Sequence, residues 1–193
     1  MLKKILFIIV VLGVLSQAVY VRPLSERTLE SKDYEVDQTT IDQLYDGILD
    51  SPFVLSLDQL KEELNNNSQQ AFHEWGNRMG IGNSSYFLVK GSDELSRIED
   101  GVITLASGLV IDSKFIFGNE LRDASRLLRL EDFESQNDLN TLTASLNEKL
   151  RSTIDVTAFK SGDVIEYVGA IEVFQSLWNI NDLKLIPAQL KKR

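Results

Sequence analysis

The hydrophobic period of this chain changes once, near residues 76–84, and that change constrains the fold more than any other feature. Before it, apolar residues recur at helical spacing. Ile41, Leu44, Tyr45, Ile48 and Leu49 form an i, i+3, i+4, i+7, i+8 stripe that predicts an amphipathic helix. Thr39 or Thr40 is placed to cap it, and Asp50-Ser51-Pro52 stops it. Ser56 and Gln59 have capping-box spacing for a second helix, with Leu57, Leu60 and Leu64 inside. Asn65-Asn66-Asn67 breaks that helix. Ser68 caps a short third one carrying Ala71, Phe72 and Trp75, which Gly76 ends.

Beyond the change, short apolar blocks alternate with turn residues, as strands do. Tyr86–Gly91, Leu95–Glu99, Val102–Ala106 and Leu109–Phe117 read as strands, with turns at Asp100-Gly101 and Ser107-Gly108. Arg126–Leu130 fits neither period. Leu139, Leu142, Leu146 and Leu150 predict a helix over 137–153. Val164–Phe174 and Leu183–Leu190 follow as strands around a turn at residues 179–182. Pro187 calls for an edge position or a bulge in the last strand. The expected fold is α+β: a small N-terminal helical domain (38–82), then an OB-like β-barrel domain (83–193) of order β-β-β-α-β-β. An open α+β sheet accounts for the same order.

Lys3 and Lys4 precede an apolar run that continues to Val21, the pattern of an export signal. Ser16-Gln17-Ala18 offers a signal-peptidase cut after Ala18. Alternatively, the 17 residues of Ile5–Val21 span the inner membrane as a retained signal anchor, with Tyr20 and Arg22 at the interface. The run extends past the candidate cut, so the retained anchor is the expectation. Residues 22–37 then form a polar linker, and the rest lies in the periplasm or on the extracytoplasmic face.

Composition excludes several functions. The 193-residue chain holds 29 acids and 20 bases, and Lys3 and Lys4 are the only charges before residue 22. The remainder has 18 bases against 29 acids, a formal charge of −11. Nucleic acid and anionic lipid surfaces are therefore poor partners. There is no cysteine, hence no disulfide, thiolate metal site, Cys nucleophile or lipid-modified Cys. His73 is the only histidine, which removes HExxH zinc sites and most His-dependent triads. No cofactor and no metal are expected.

Two stretches carry a resemblance. Residues 73–91 hold Gly80-Ile81-Gly82-Asn83 followed by Phe87–Gly91. Residues 118–151 hold Gly118, then Leu121-Arg122-Asp123-Ala124, Asp132-Phe133, Gln136-Asn137 and Leu146-Asn147. In this order and spacing they resemble a bacterial family of predicted periplasmic lipoproteins of unassigned function, across roughly residues 38–190. The resemblance implies a small helical domain joined to an OB-like barrel. It also implies an accessory role beside sugar ABC transporters, whose genes often neighbour those of the family. It carries over no catalytic residues. The absence of cysteine departs from the lipoprotein pattern, so a peptide anchor or soluble release must replace the lipid.

Candidate ligand contacts are few. Gly80, Gly82 and Asn83 suit a loop that approaches a ligand, or a linker turn. Arg122 and Asp123 suit a ligand clamp, or a structural ion pair. Trp75 suits stacking on a sugar ring, or core packing. Tyr86 would join them in a groove between helices and barrel. Glu131, Asp132 and Glu134 read as a solvated acidic helix start rather than paired glycosidase acids or a Ca²⁺ loop. The expected function is a non-enzymatic accessory or interaction protein of the envelope, partnered by ABC transporter components or other envelope proteins. The alternative is a small-ligand binder for sugar-like molecules. A carboxylate-based hydrolase ranks behind both.

Overall fold

In the computed structural model, residues 36–116, 118–175 and 183–193 are described. The leader, most of the linker and the turn at 179–182 lie outside them. Among the described residues no helix is long and apolar enough to cross a membrane.

Helix α1 (Gln38–Leu49) buries the predicted stripe through Ile41, Leu44, Tyr45 and Ile48. Its cap is Asp37, whose side chain accepts the Thr39 N–H, rather than either threonine. A carboxylate accepts this bond as well as a hydroxyl does and also suits the helix dipole. Strand β1 (Leu55–Ser56) leads directly into helix α2 (Leu57–Glu74). The Ser56–Gln59 capping box closes at 3.1 and 2.9 Å, as the sequence predicts. The asparagine break is a kink within one element: Asn67 sits at φ −156°, ψ 90°. Asn67 Oδ1 accepts the Gln70 N–H at 3.2 Å, so Asn67 rather than Ser68 caps the second half.

Strand β2 (Ser84–Glu99) runs unbroken through Gly91, where two strands were expected. Its antiparallel register with β5 (Val164–Phe174) is continuous from Ser84↔Phe174 to Glu94↔Val164. Strands β3 (Val102–Leu105) and β4 (Val110–Asp112) follow as a tight antiparallel pair. Helix α3 (Gly118–Ser125), a 3₁₀ turn at Leu130–Asp132 and helix α4 (Gln136–Thr153) precede a second 3₁₀ turn (Val156–Ala158) and β5. Strand β6 (Lys184–Lys192) closes the chain. Among β2–β6 the pairings run in an unbroken cycle: β2–β3, β3–β4, parallel β4–β6, β6–β5 and β5–β2. Pro187 sits beside a bulge. Gly169 pairs with Pro187 and Val168 with Gln189, leaving Ala188 as the extra residue.

Both faces of the early part of β2 are covered, which explains its continuous apolar run. Phe87 and Val89 enter a cluster with Leu60, Leu64, Ile103, Ile111 and Leu185, roofed by α2. Tyr86 and Leu88 face the other way, into a cluster with Ile41 and Ile48 of α1, Leu121 of α3 and Leu146 of α4. Phe72 meets Phe87 edge-on at 5.2 Å. The segments before and after residue 82 thus share both clusters, and the described residues belong to one compact unit.

Candidate functional site

The candidate site is built where α2 hands over to β2. At Gly76 a Cβ would lie 2.9 Å from the Phe72 carbonyl, the Phe87 ring and the Ser85 side chain, so the chain can pass there only as glycine. Asn77 and Tyr86 then exchange both backbone hydrogen bonds, at 3.0 and 2.8 Å. This bridge closes residues 78–85 into a loop.

A buried ion pair pins the loop base. Arg122 and Asp123 are 8% and 4% exposed. Arg122 donates through Nε and Nη2 to Asp123 Oδ1 at 2.9 and 2.7 Å, and through Nη1 to Thr143 Oγ1 at 2.8 Å. Asp123 Oδ2 accepts the Met79 N–H at 3.1 Å, and the Asp123 carbonyl accepts Asn77 Nδ2 at 2.7 Å. Every guanidinium nitrogen of Arg122 is engaged inside the protein. A charge pair so buried holds only while all its hydrogen bonds are made. Arg122 and Asp123 thereby join the loop to α3 and α4.

A second polar group lies beneath the loop. Arg78 Nη1 donates to Glu172 Oε1 at 3.3 Å and also to Ser84 Oγ. Ser84 Oγ donates to the same Glu172 oxygen at 2.5 Å. The Arg78 guanidinium stands 5.2 Å from the Tyr86 ring centre, within cation–π range. Tyr86 and Glu172 are direct cross-strand partners. Glu120 of α3 joins the group electrostatically: burial, and then the Glu172 and Asp123 carboxylates, push its carboxyl above the ordinary range. Its Oε2 is buried and makes no hydrogen bond. Burial and then Glu172 likewise raise the Tyr86 phenol. Among the described residues no three acidic or histidine side chains converge as metal ligands.

The loop tip is apolar. Ile81 is 106% exposed, with Gly80, Gly82 and Asn83 exposed around it. Neither glycine has a positive φ. At Gly80 a Cβ would meet nothing, whereas at Gly82 it would lie 2.9 Å from the Arg78 guanidinium. Beside the loop base runs a groove of about 430 Å³ whose apolar lining is Met79, Leu130, Phe133 and Leu139. Leu130 is 53% exposed.

The structure therefore gathers Gly80, Gly82, Asn83, Tyr86, Arg122 and Asp123 around one loop. Trp75 lies at its entrance, half-buried against the α2-side core, with its indole Nε1 buried and unpartnered. Sequence reasoning missed Arg78, Glu120 and Glu172. Glu172 carried a signal, being the lone charge in the apolar run VGAIEVF of β5. Met79, Leu130 and Phe133 carried none, because their groove joins segments some fifty residues apart.

A family model described as predicted periplasmic lipoprotein (DUF2291) matches residues 8–191. No curated protein matches the chain. Among solved structures, an OB-fold protein from Thermotoga maritima aligns with a TM-score of 0.68 at 18% identity, covering 82% of this chain and 99% of that one. At this identity the likeness concerns the fold alone: an α+β arrangement similar to an OB-fold protein.

Proposed function

Because the chain belongs to this family of predicted periplasmic lipoproteins, we propose that it is a non-enzymatic interaction module of the cell envelope that docks a protein partner through the 78–85 loop and the adjoining groove. The observation that carries this reading is Ile81. A loop held at its base by a buried ion pair presents a fully exposed isoleucine at its tip, and Met79 of the same loop lines an apolar groove. A large apolar side chain on a braced loop loses little entropy on binding, which favours contact with a partner.

In this reading the strand cycle is an OB-like barrel that serves as scaffold. The partner is a component of a sugar ABC transporter, as the family resemblance implies, and the leader ties the domain to the inner membrane. The test is gentle extraction of envelope from cells expressing the tagged full chain. Transporter subunits recovered with the wild type and lost with Ile81→Asp support the reading. Equal recovery with both proteins sinks it.

The polar group of Arg78, Tyr86, Glu120 and Glu172 favours a second reading, a site for a small hydroxyl-bearing ligand such as a sugar. The buried, unpartnered Glu120 Oε2 is an acceptor, while the Arg78 guanidinium and the Tyr86 phenol are donors, so the group offers both functions that hydroxyls require. A thermal-shift panel of sugars tests it. Stabilisation that disappears in Glu172→Gln supports this site, and no shift with any sugar removes it.

A further inference from the structure

The chain segment that forms the groove also carries a charge pattern. Residues 129–139 read RLEDFESQNDL, with four acids against one base. Asp132 and Asp138 are committed to local turns: Asp132 Oδ2 accepts the Arg129 N–H at 2.7 Å and Asp138 Oδ2 the Ser135 N–H at 3.0 Å. Glu131 and Glu134 are exposed and make no ion pair among the described residues, and Glu134 lines the groove directly. Glu134 thus lies in the groove beside apolar Leu130, Phe133 and Leu139, and Glu131 directly follows Leu130 in the chain.

From this complementarity we infer that the groove accepts a partner segment in which one or two large apolar side chains are flanked by Lys or Arg. The apolar chains would fill the space between Met79, Leu130, Phe133 and Leu139. The flanking cations would reach Glu131 and Glu134. The contact is set in an exposed rim, so its electrostatic part is sensitive to salt. This inference rests on the docking role proposed above and adds the chemistry of the docked segment. An acidic or purely apolar segment would gain nothing from the two glutamates, and the net charge of the domain would oppose an acidic one.

Fluorescence anisotropy with the purified full chain tests it, using three labelled ten-residue peptides that share a central Leu-Phe pair. The pair is flanked by Lys, by Glu or by Ser. The Lys peptide is expected to bind best, to weaken several-fold as salt is raised, and to weaken in the double variant Glu131→Gln/Glu134→Gln and in Leu130→Ser. Equal binding of all three peptides, or no effect of the double variant, overturns the charge assignment. Should no peptide bind while envelope subunits still co-purify through Ile81, the cationic segment is wrong and the docking role survives. Circular dichroism of each variant confirms that a loss of binding is not a loss of fold.

Discussion

Met79 donates its backbone N–H to Asp123 Oδ2 at 3.1 Å, a bond between residues 44 apart in sequence. Through it a loop that looks like an ordinary glycine-rich connection becomes part of the folded body. Asp123 in turn is held by Arg122, and Arg122 by Thr143 of α4. Loop, α3 and α4 therefore stand or fall together.

Asp123→Ala should be severe. It strands the buried Arg122 guanidinium and frees the Met79 N–H. Removing one partner of a buried pair costs about 3–5 kcal/mol. Urea unfolding of the wild type and variant measures it. A loss below about 1 kcal/mol, the range of exposed pairs, would show that the pair does not brace the loop.

Two glycines separate space from conformation. At Gly169 a Cβ would lie 2.5 Å from the Ile186 carbonyl oxygen and 2.6 Å from Leu185 Cδ2, so β5 and β6 must part to admit it. Gly169→Ala is expected to cost about 1–3 kcal/mol. Gly80→Ala, with open space around it, should stay within about 0.5 kcal/mol of the wild type. Thermal melts of the two variants side by side decide the matter.

Glu120 predicts a pH dependence. Its carboxyl is raised above the ordinary value of 4.5, chiefly by burial and then by Glu172 and Asp123. The folded state therefore holds this proton more tightly than the unfolded state does. The contribution of Glu120 to stability falls as pH rises from 4.5 through the raised value, and is constant beyond it. Glu120→Gln should remove that fall. Denaturant unfolding at pH 4.5 and pH 8 gives the comparison, and an identical change in both proteins would contradict it.

Helix α4 offers a simpler check. Ser135 Oγ accepts the Asp138 N–H at 3.3 Å and Asp138 Oδ2 accepts the Ser135 N–H at 3.0 Å. Ser135→Ala should cost about 1 kcal/mol of stability, read from the same unfolding curves.

Much of the scaffold was legible in the sequence because local patterns carried it. The α1 stripe, the Ser56 capping box and the bounds of β5 are all local, and each is where the sequence places it. The kink at Asn67 and the single long β2 were not legible. The Asn run fixed a break but not which residue would cap. Gly91 reads as a strand end, yet continuous pairing with β5 carries the chain through it, with Tyr167 packed where a side chain would be. The site was half legible. Gly80, Gly82, Tyr86, Arg122 and Asp123 stood out as residue types. That Arg78 would meet Glu172, 94 residues away, depends on the β2–β5 register, which no local pattern encodes.

Quantitative recovery of envelope proteins tests whether the braced loop and its groove dock a partner. The tagged full chain, Ile81→Asp and Leu130→Ser are expressed equally, extracted gently and compared by mass spectrometry. Both altered side chains are at least half exposed, so both variants should fold with wild-type stability. A defined set of envelope proteins should accompany the wild type and fall several-fold with each variant. The same proteins recovered undiminished with both variants would show that neither the loop nor the groove docks them.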